Sequence, residues 1–279
     1  HHPNSTLSGG ALGEMNAKKS KKVAEVAEKS LLPLIGSWDG ECQRAKEGVA
    51  SLGATGELLD ILVACSGRIP IFSLVLGTVS GVSALAVGLS DFVILSADHG
   101  KMFMRSPYFI PEIINGEIDE ETLGGAQSHA SRSGVACLIA DDEDDAIDIT
   151  AEILAYLPDH TLAEPLNIKS GDEWDRSCDK LVNLVPSDSN RPYDMVKVIK
   201  EIVDEGRFLE FFPTFAENIL IGFARLDGQP VGIVANQPKI LAGCLDIDAS
   251  VKAARFIRTC DIFNIPVVTL VDVPGFLPG

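Results

Sequence analysis

Ile69-Pro70-Ile71-Phe72-Ser73-Leu74-Val75-Leu76-Gly77 runs on into Thr78-Val79-Ser80-Gly81-Val82-Ser83-Ala84, and this stretch sets the architecture. Pro70 stands at the head of an apolar run, where its missing N–H costs no ladder bond. The run does not alternate, which predicts a strand buried on both faces, as in a parallel sheet. Glycines then mark a turn. The same order of apolar residue, Pro, apolar run and turn recurs at 32–36 and at 265–272, with Gly275 soon after. Helical apolar spacing with charged faces precedes the three runs, at 16–29, 56–64 and 249–263. Units of this kind predict an α/β fold. A strand, a Gly turn and a helix can aim successive backbone N–H groups at one point, and such a nest can hold an oxyanion. The competing reading is a glycine that only permits a tight turn; its recurrence in three units favours the nest.

Between these units, 141–155 is acidic with helical spacing and reads as a solvated face. The stretch 157–192 is polar and carries Pro158, Pro165, Pro186 and Pro192, the composition of a linker. A new unit is expected near Arg191, with a helix over 195–204 and strands over 219–226 and 231–235. Asp227-Gly228 between those strands is a hairpin signal.

Composition narrows the function. Apolar residues make up 46% of the 279, enough for a substantial core, and aromatics only 6%. The formal net charge of −17 opposes binding to a phosphate backbone, so nucleic acid is not an expected partner. No run of about 18 uninterrupted apolar residues occurs, so no membrane span is expected. The six cysteines form no C-x-x-C pair and no zinc spacing, and read as reduced thiols.

From Arg191 onward, motifs crowd together. They are Arg191-Pro192-Tyr193-Asp194-Met195, Val231-Gly232-Ile233-Val234-Ala235-Asn236-Gln237-Pro238, Ala242-Gly243-Cys244-Leu245-Asp246-Ile247, Lys252-Ala253-Ala254-Arg255-Phe256-Ile257-Arg258, and Val271-Asp272-Val273-Pro274-Gly275-Phe276. This run resembles the carboxyltransferase (β) subunits of biotin-dependent acyl-CoA carboxylases, of the propionyl-CoA carboxylase β type. Earlier stretches resemble the same family: Gly9-Gly10-Ala11-Leu12-Gly13, Glu47-Gly48-Val49-Ala50-Ser51-Leu52, and Leu123-Gly124-Gly125-Ala126 followed by His129.

The resemblance implies a crotonase-like (ClpP/crotonase) ββα superhelix with two related domains. It places an acyl-CoA domain at 1–187 and the opening of a biotin-side domain at 188–279, truncated because the family's second oxyanion loop lies beyond Gly279. It implies transfer of a carboxyl group from carboxybiotin to the α-carbon of an acyl-CoA. Gly81 and Val82 fall on the family's oxyanion pair. Gly9, Gly10, Asp39, Gly40, Glu41, Arg44 and Gly48 fall on the acyl-CoA side, and Asn236, Gln237, Gly243, Asp272, Gly275 and Phe276 on the biotin side. His129 reads as a structural histidine. Biotin is expected on a separate carrier or biotin carboxylase subunit, since no Ala-Met-Lys-Met signature occurs. No metal and no membrane partner are expected, and the subunits are expected to form homo- or hetero-oligomers, hexameric by resemblance. The compartment is the bacterial cytoplasm, or the mitochondrial matrix in a eukaryote.

Two departures stand out. The family's Asp-Ser-Gly-Gly-Ala-Arg aligns with Asp39-Gly40-Glu41-Cys42-Gln43-Arg44, so Glu41-Cys42 replaces a glycine pair, and Val82 replaces a glycine. Val82 keeps its N–H but resists a positive φ, which predicts a reshaped loop. Two rival readings follow: a biotin-dependent decarboxylase or transcarboxylase subunit, and a non-catalytic paralogue within a mixed assembly.

Overall fold

The computed structural model describes residues 8–40, 42–105, 119–188 and 191–277. The chain forms two compact units, His1–Ala151 and Glu152–Gly279.

The first unit alternates helix and strand: α1 (Glu14–Ser30), β1 (Leu34–Gly40), α2 (Gly48–Cys65), β2 (Ile71–Ser80), α3 (Val82–Gly88), β3 (Phe92–Ser96), β4 (Lys101–Phe103), β5 (Leu138–Ala140) and α4 (Glu143–Leu154), which leads into the second unit. The strands run parallel in the order β1-β2-β3-β5, with β4 added to the far end of β2. The first half of β2 pairs with β3, Phe72 opposite Phe92; its second half pairs with β4, Ser80 opposite Phe103. β2 is buried along almost its whole length, as the unalternating run predicts. Val75, Val79, Val87, Val93 and Leu95 form the core around it. On α2 the buried positions Ser51, Ala54, Thr55, Leu58, Leu62 and Cys65 recur at helical spacing. The apolar length of 45–65 matches what a membrane crossing requires by length and composition. Within this fold one face of that helix is core.

The second unit contains α5 (Met195–Ile202), β6 (Leu209–Phe211), β7 (Ile219–Leu226), β8 (Gln229–Asn236), α6 (Ile247–Ile262) and β9 (Val267–Leu270). The sheet order is β6-β7-β8-β9, antiparallel except for the β8–β9 pair. Asp227 (φ 51°) and Gly228 (φ 78°) make the β7–β8 turn, both left-handed as a two-residue type I′ hairpin demands. Asp194 and Asp246 cap α5 and α6 by accepting the N–H groups of Val196 and Ala249.

The stretch read as a linker is packed instead. Ile168 N–H donates to Gly228 O (3.2 Å), Arg225 Nη1 to Leu166 O (2.9 Å), and Arg176 Nη2 to Ile202 O and Val203 O (3.1 and 2.8 Å). The compact units divide at 151/152, while the domain boundary at 187/188 is what the resemblance implies. Polarity misled because this segment is held largely by hydrogen bonds to its main chain and from arginine side chains, with Leu181 and Leu184 packed on the second unit's core.

Lys252 anchors the second unit from within. Only 4% exposed, its ammonium donates to the carbonyls of Phe212 (2.9 Å), Phe215 (2.7 Å), Ala216 (3.3 Å) and Ile219 (2.9 Å). Lys252→Met strips these carbonyls of their donor, and urea unfolding is expected to show a loss of about 3 kcal/mol. Burial pulls the Lys252 ammonium down to about 8 from its ordinary 10.5, against the attraction of Glu210 and Glu217. Between those values the unfolded chain holds the proton that the folded chain has lost, so stability rises with pH. Wild-type stability relative to the Met variant is expected to increase from pH 8 to 10.5. A flat difference would mean that the carbonyl cage cancels the cost of burial.

Candidate functional site

The C-terminal end of β1 meets the 8–13 segment in unusually close backbone contact, with the end of β2 beside it. A Cβ on Gly10 would overlap the Asp39 carbonyl and Gly40, and one on Gly40 would overlap the Gly10 carbonyl. Gly77 lies against the Asp39 carboxylate. Leu12 N–H donates to Cys42 O (3.2 Å) and Arg44 N–H to Leu12 O (2.9 Å), zipping the segment to the end of β1. In parallel sheets, ligands bind outside such strand ends.

Gly81 makes the bend from β2 into α3. Its φ of 62° and ψ of −128° suit glycine alone, and a Cβ there would stand 2.9 Å from Cys42 Cβ. Val82 is simply the first helical residue of α3, with no positive φ. The expected distortion is absent because Gly81 takes the strained angles by itself. A helix's first residue has no acceptor four residues back, so the Val82 N–H is available beyond the helix.

Gly81 behaves otherwise than expected. Its N–H donates to Phe103 O at 3.0 Å. It extends the β2–β4 ladder and holds the bend in place instead of facing a ligand. Of the expected donor pair, Val82 remains.

Arg44 is likewise committed. Its guanidinium pairs with Glu47 (3.3 Å), whose other carboxylate oxygen accepts the Glu14 N–H (2.5 Å) and caps α1. That backbone bond and the Arg44 charge hold the Glu47 carboxyl below its ordinary range. Arg44 thus braces α1, although its Nε is buried without a hydrogen-bond partner among the described residues. Gly9 (φ 61°) and Gly48 (φ 54°) face open space, and their role is conformational. Glu41 lies outside the described residues.

The biotin-side candidates converge within the second unit as a polar knot. Asn236 Nδ2 donates to Gly243 O (3.0 Å), and its Oδ1 accepts the Asp272 N–H (3.2 Å). Gln237 accepts the Met195 N–H and donates to Asp194, both at 3.0 Å. Leu245 joins the last segment through Gly275 O (3.2 Å) and a bridge to Phe276. Asn236 and Gln237 are buried cross-links, not lining residues. Phe276 is 76% exposed.

Two members of the knot were missed. Tyr193 donates its O–H to Asp272 (2.7 Å), and burial together with that carboxylate pushes the phenol up to about 12. Asn218 donates to Cys244 O (2.8 Å) and accepts the Gln237 N–H through its own carbonyl (2.9 Å). Tyr193 lay inside a quoted motif; Asn218 had no signal. Among the described residues no group of three His, Cys, Asp or Glu side chains forms a metal site.

Residues 2–279 match the family model described as carboxyl transferase domain. The chain is 44% identical over 274 residues to the methylmalonyl-CoA decarboxylase subunit alpha of Veillonella parvula, covering 98% of this chain and 54% of that protein. It is 45% identical over 282 residues to the propionyl-CoA carboxylase beta chain of Saccharopolyspora erythraea, covering 98% and 52%. The chain therefore spans about half the length of these relatives. The crystal structure of transcarboxylase 12S, a hexamer with methylmalonyl-coenzyme A bound, superposes with a TM-score of 0.95 at 37% identity, over 99% of this chain and 53% of that one.

Gly81→Ala is expected to lower the melting temperature, with a cost of about 2 kcal/mol from positive φ and the clash with Cys42. Adding Cys42→Gly should restore the steric part only. Full recovery in the double variant would show that the backbone angle costs nothing.

Proposed function

The chain belongs to the carboxyl transferase domain family, and from that premise we propose that its parent protein is the carboxyltransferase component of a biotin-dependent acyl-CoA carboxylase. It moves a carboxyl group from carboxybiotin to the α-carbon of an acyl-CoA, and belongs to an oligomer of such subunits. The observation that carries this reading is the Ser80-Gly81-Val82 bend at the strand ends, pinned by Gly81 and leading with the Val82 N–H.

Loss of an α-proton from a thioester places negative charge on the carbonyl oxygen. A fixed amide donor aimed at that oxygen contributes about 3 kcal/mol to the transition state. The glycines at 10, 40 and 77 let the backbone segments approach closely at the strand ends. Biotin, carried on a partner, supplies the activated carboxyl group. The polar atoms of Asn236 and Gln237, and one Asp272 oxygen, are engaged by the chain itself. These side chains do not fit as direct ligands of a ureido ring, and no step is assigned to them.

The reverse reaction is the second reading, favoured by the 44% identity to a decarboxylase subunit. Supplying the intact protein with a biotinylated partner, and either propionyl-CoA and labelled bicarbonate or methylmalonyl-CoA, distinguishes the directions. Turnover indifferent to avidin would overturn both readings.

Val82→Pro removes one N–H at a helical position where proline is well tolerated. It is expected to lower kcat about a hundredfold or more, with little change in melting temperature. Unchanged kcat would remove Val82 as the oxygen's donor.

A further inference from the structure

β4 is three residues long, and its alternate carbonyls face opposite ways. Phe103 O accepts the Gly81 N–H (3.0 Å) on the β2 side. Met102 O accepts from His129 Nε2 (2.8 Å) on the other. A carbonyl can only accept, so Nε2 carries the hydrogen. Nδ1 meets Ser133 Oγ at 2.9 Å, and the same hydroxyl lies 3.3 Å from the His129 carbonyl, so Ser133 braces the ring from its other side.

The sequence around His129 builds this clamp. Lys101 bridges to Gly125, and a Cβ on Gly124 would overlap Met102 O, so the glycine pair lets the following turn lie directly on β4. His129–Ser133 is a π-helical turn closed by Gly134 in the left-handed region (φ 60°). Such turns are costly and concentrate at functional positions. Here the turn swings the imidazole back onto the strand. β4 is thereby gripped between His129 and Gly81.

We infer that His129 is a positioning residue for carboxyl transfer, acting through β4 to fix the bend that presents the Val82 amide. The inference rests on the function proposed above. Without the Nε2–H donor, Met102 O loses its partner and the short strand keeps only the Lys101–Gly125 bridge and the Lys101–Glu120 ion pair on its outer side. The Gly81–Phe103 bond then slackens, and the Val82 N–H wanders from the oxygen it serves.

The test uses the full-length protein with its biotinylated partner. His129→Gln keeps an amide N–H at the reach of Nε2; His129→Leu and His129→Asn do not. We expect Leu and Asn to lower kcat ten- to a hundredfold with KM for acyl-CoA changed less than threefold. Gln should recover most of kcat with an unchanged pH profile. If Gln is as impaired as Leu, or its acid limb disappears, the imidazole acts in proton transfer and the inference fails. If Leu and Asn retain wild-type kcat, the inference fails as well. Hydrogen exchange of the peptide covering 76–90 is expected to quicken in Asn and not in Gln. That readout needs no turnover, so it tests the clamp even if the wild-type protein proves inactive in carboxyl transfer. Exchange equal in all variants would overturn the inference.

Discussion

The close approach of three backbone segments at the ends of β1 and β2 is the constraint on which the first unit depends. Gly10 and Gly40 touch main chain to main chain, Gly77 packs on the Asp39 carboxylate, and Gly81 abuts Cys42. A side chain at any of these glycines would push the strand ends apart. With that contact made, β2 can pair with β3 first and β4 later, and the chain can turn sharply into α3. On the proposed reading, the oxygen-binding geometry follows from close backbone packing at these glycines rather than from a positively charged side chain. This suits a protein with a net charge of −17, whose Arg44 is already neutralised by Glu47. Oriented amides supply local positive potential where mobile cations are scarce.

The second unit uses hydrogen bonds where the first uses glycine contacts. Asn236, Gln237, Asn218, Asp194, Asp272 and Tyr193 tie β8 to the turns around it, and Lys252 gathers the carbonyls leading up to and opening β7. Each donor in this knot has a named acceptor, the condition under which buried polar groups specify one structure rather than destabilise it. The loop around Gly243 is held from both sides: a Cβ there would press on Asp272 O and Asn236.

How far the sequence disclosed this differs by feature. A strand buried on both faces leaves a continuous apolar run, so β2 was legible. β9 carries such a run although its residues are only half-buried or exposed, and the Asp227-Gly228 turn announced itself through the angles it requires. Family motifs located the bend at Gly81 and Val82 but not which N–H stays free, because that depends on β4, a strand too short to leave a pattern. Asn236 and Gln237 read as pocket-lining residues, whereas their side-chain amides bond groups of the chain itself. Residue type cannot tell a buried amide that binds its own chain from one that binds a ligand. Lys252 did leave a trace: it sits in the apolar stripe of α6 with Ala249, Ala253, Phe256 and Cys260, where a cation needs internal acceptors.

A site of this kind has a consequence for direction. A fixed amide that stabilises the charged thioester oxygen lowers the same barrier whether the α-carbon is gaining a carboxyl group or losing one, because both reactions pass through that species. The chain is similar both to a propionyl-CoA carboxylase chain and to a methylmalonyl-CoA decarboxylase subunit, at 45% and 44% identity, as the proposed reading would expect. On the proposed reading, the Gly81–Val82 bend serves either direction alike. Direction is instead fixed by what loads or unloads the carboxyl carrier and by the free energy coupled to that step, outside the strand ends described here. The backbone at this bend therefore has reason to persist across enzymes whose net reactions oppose one another.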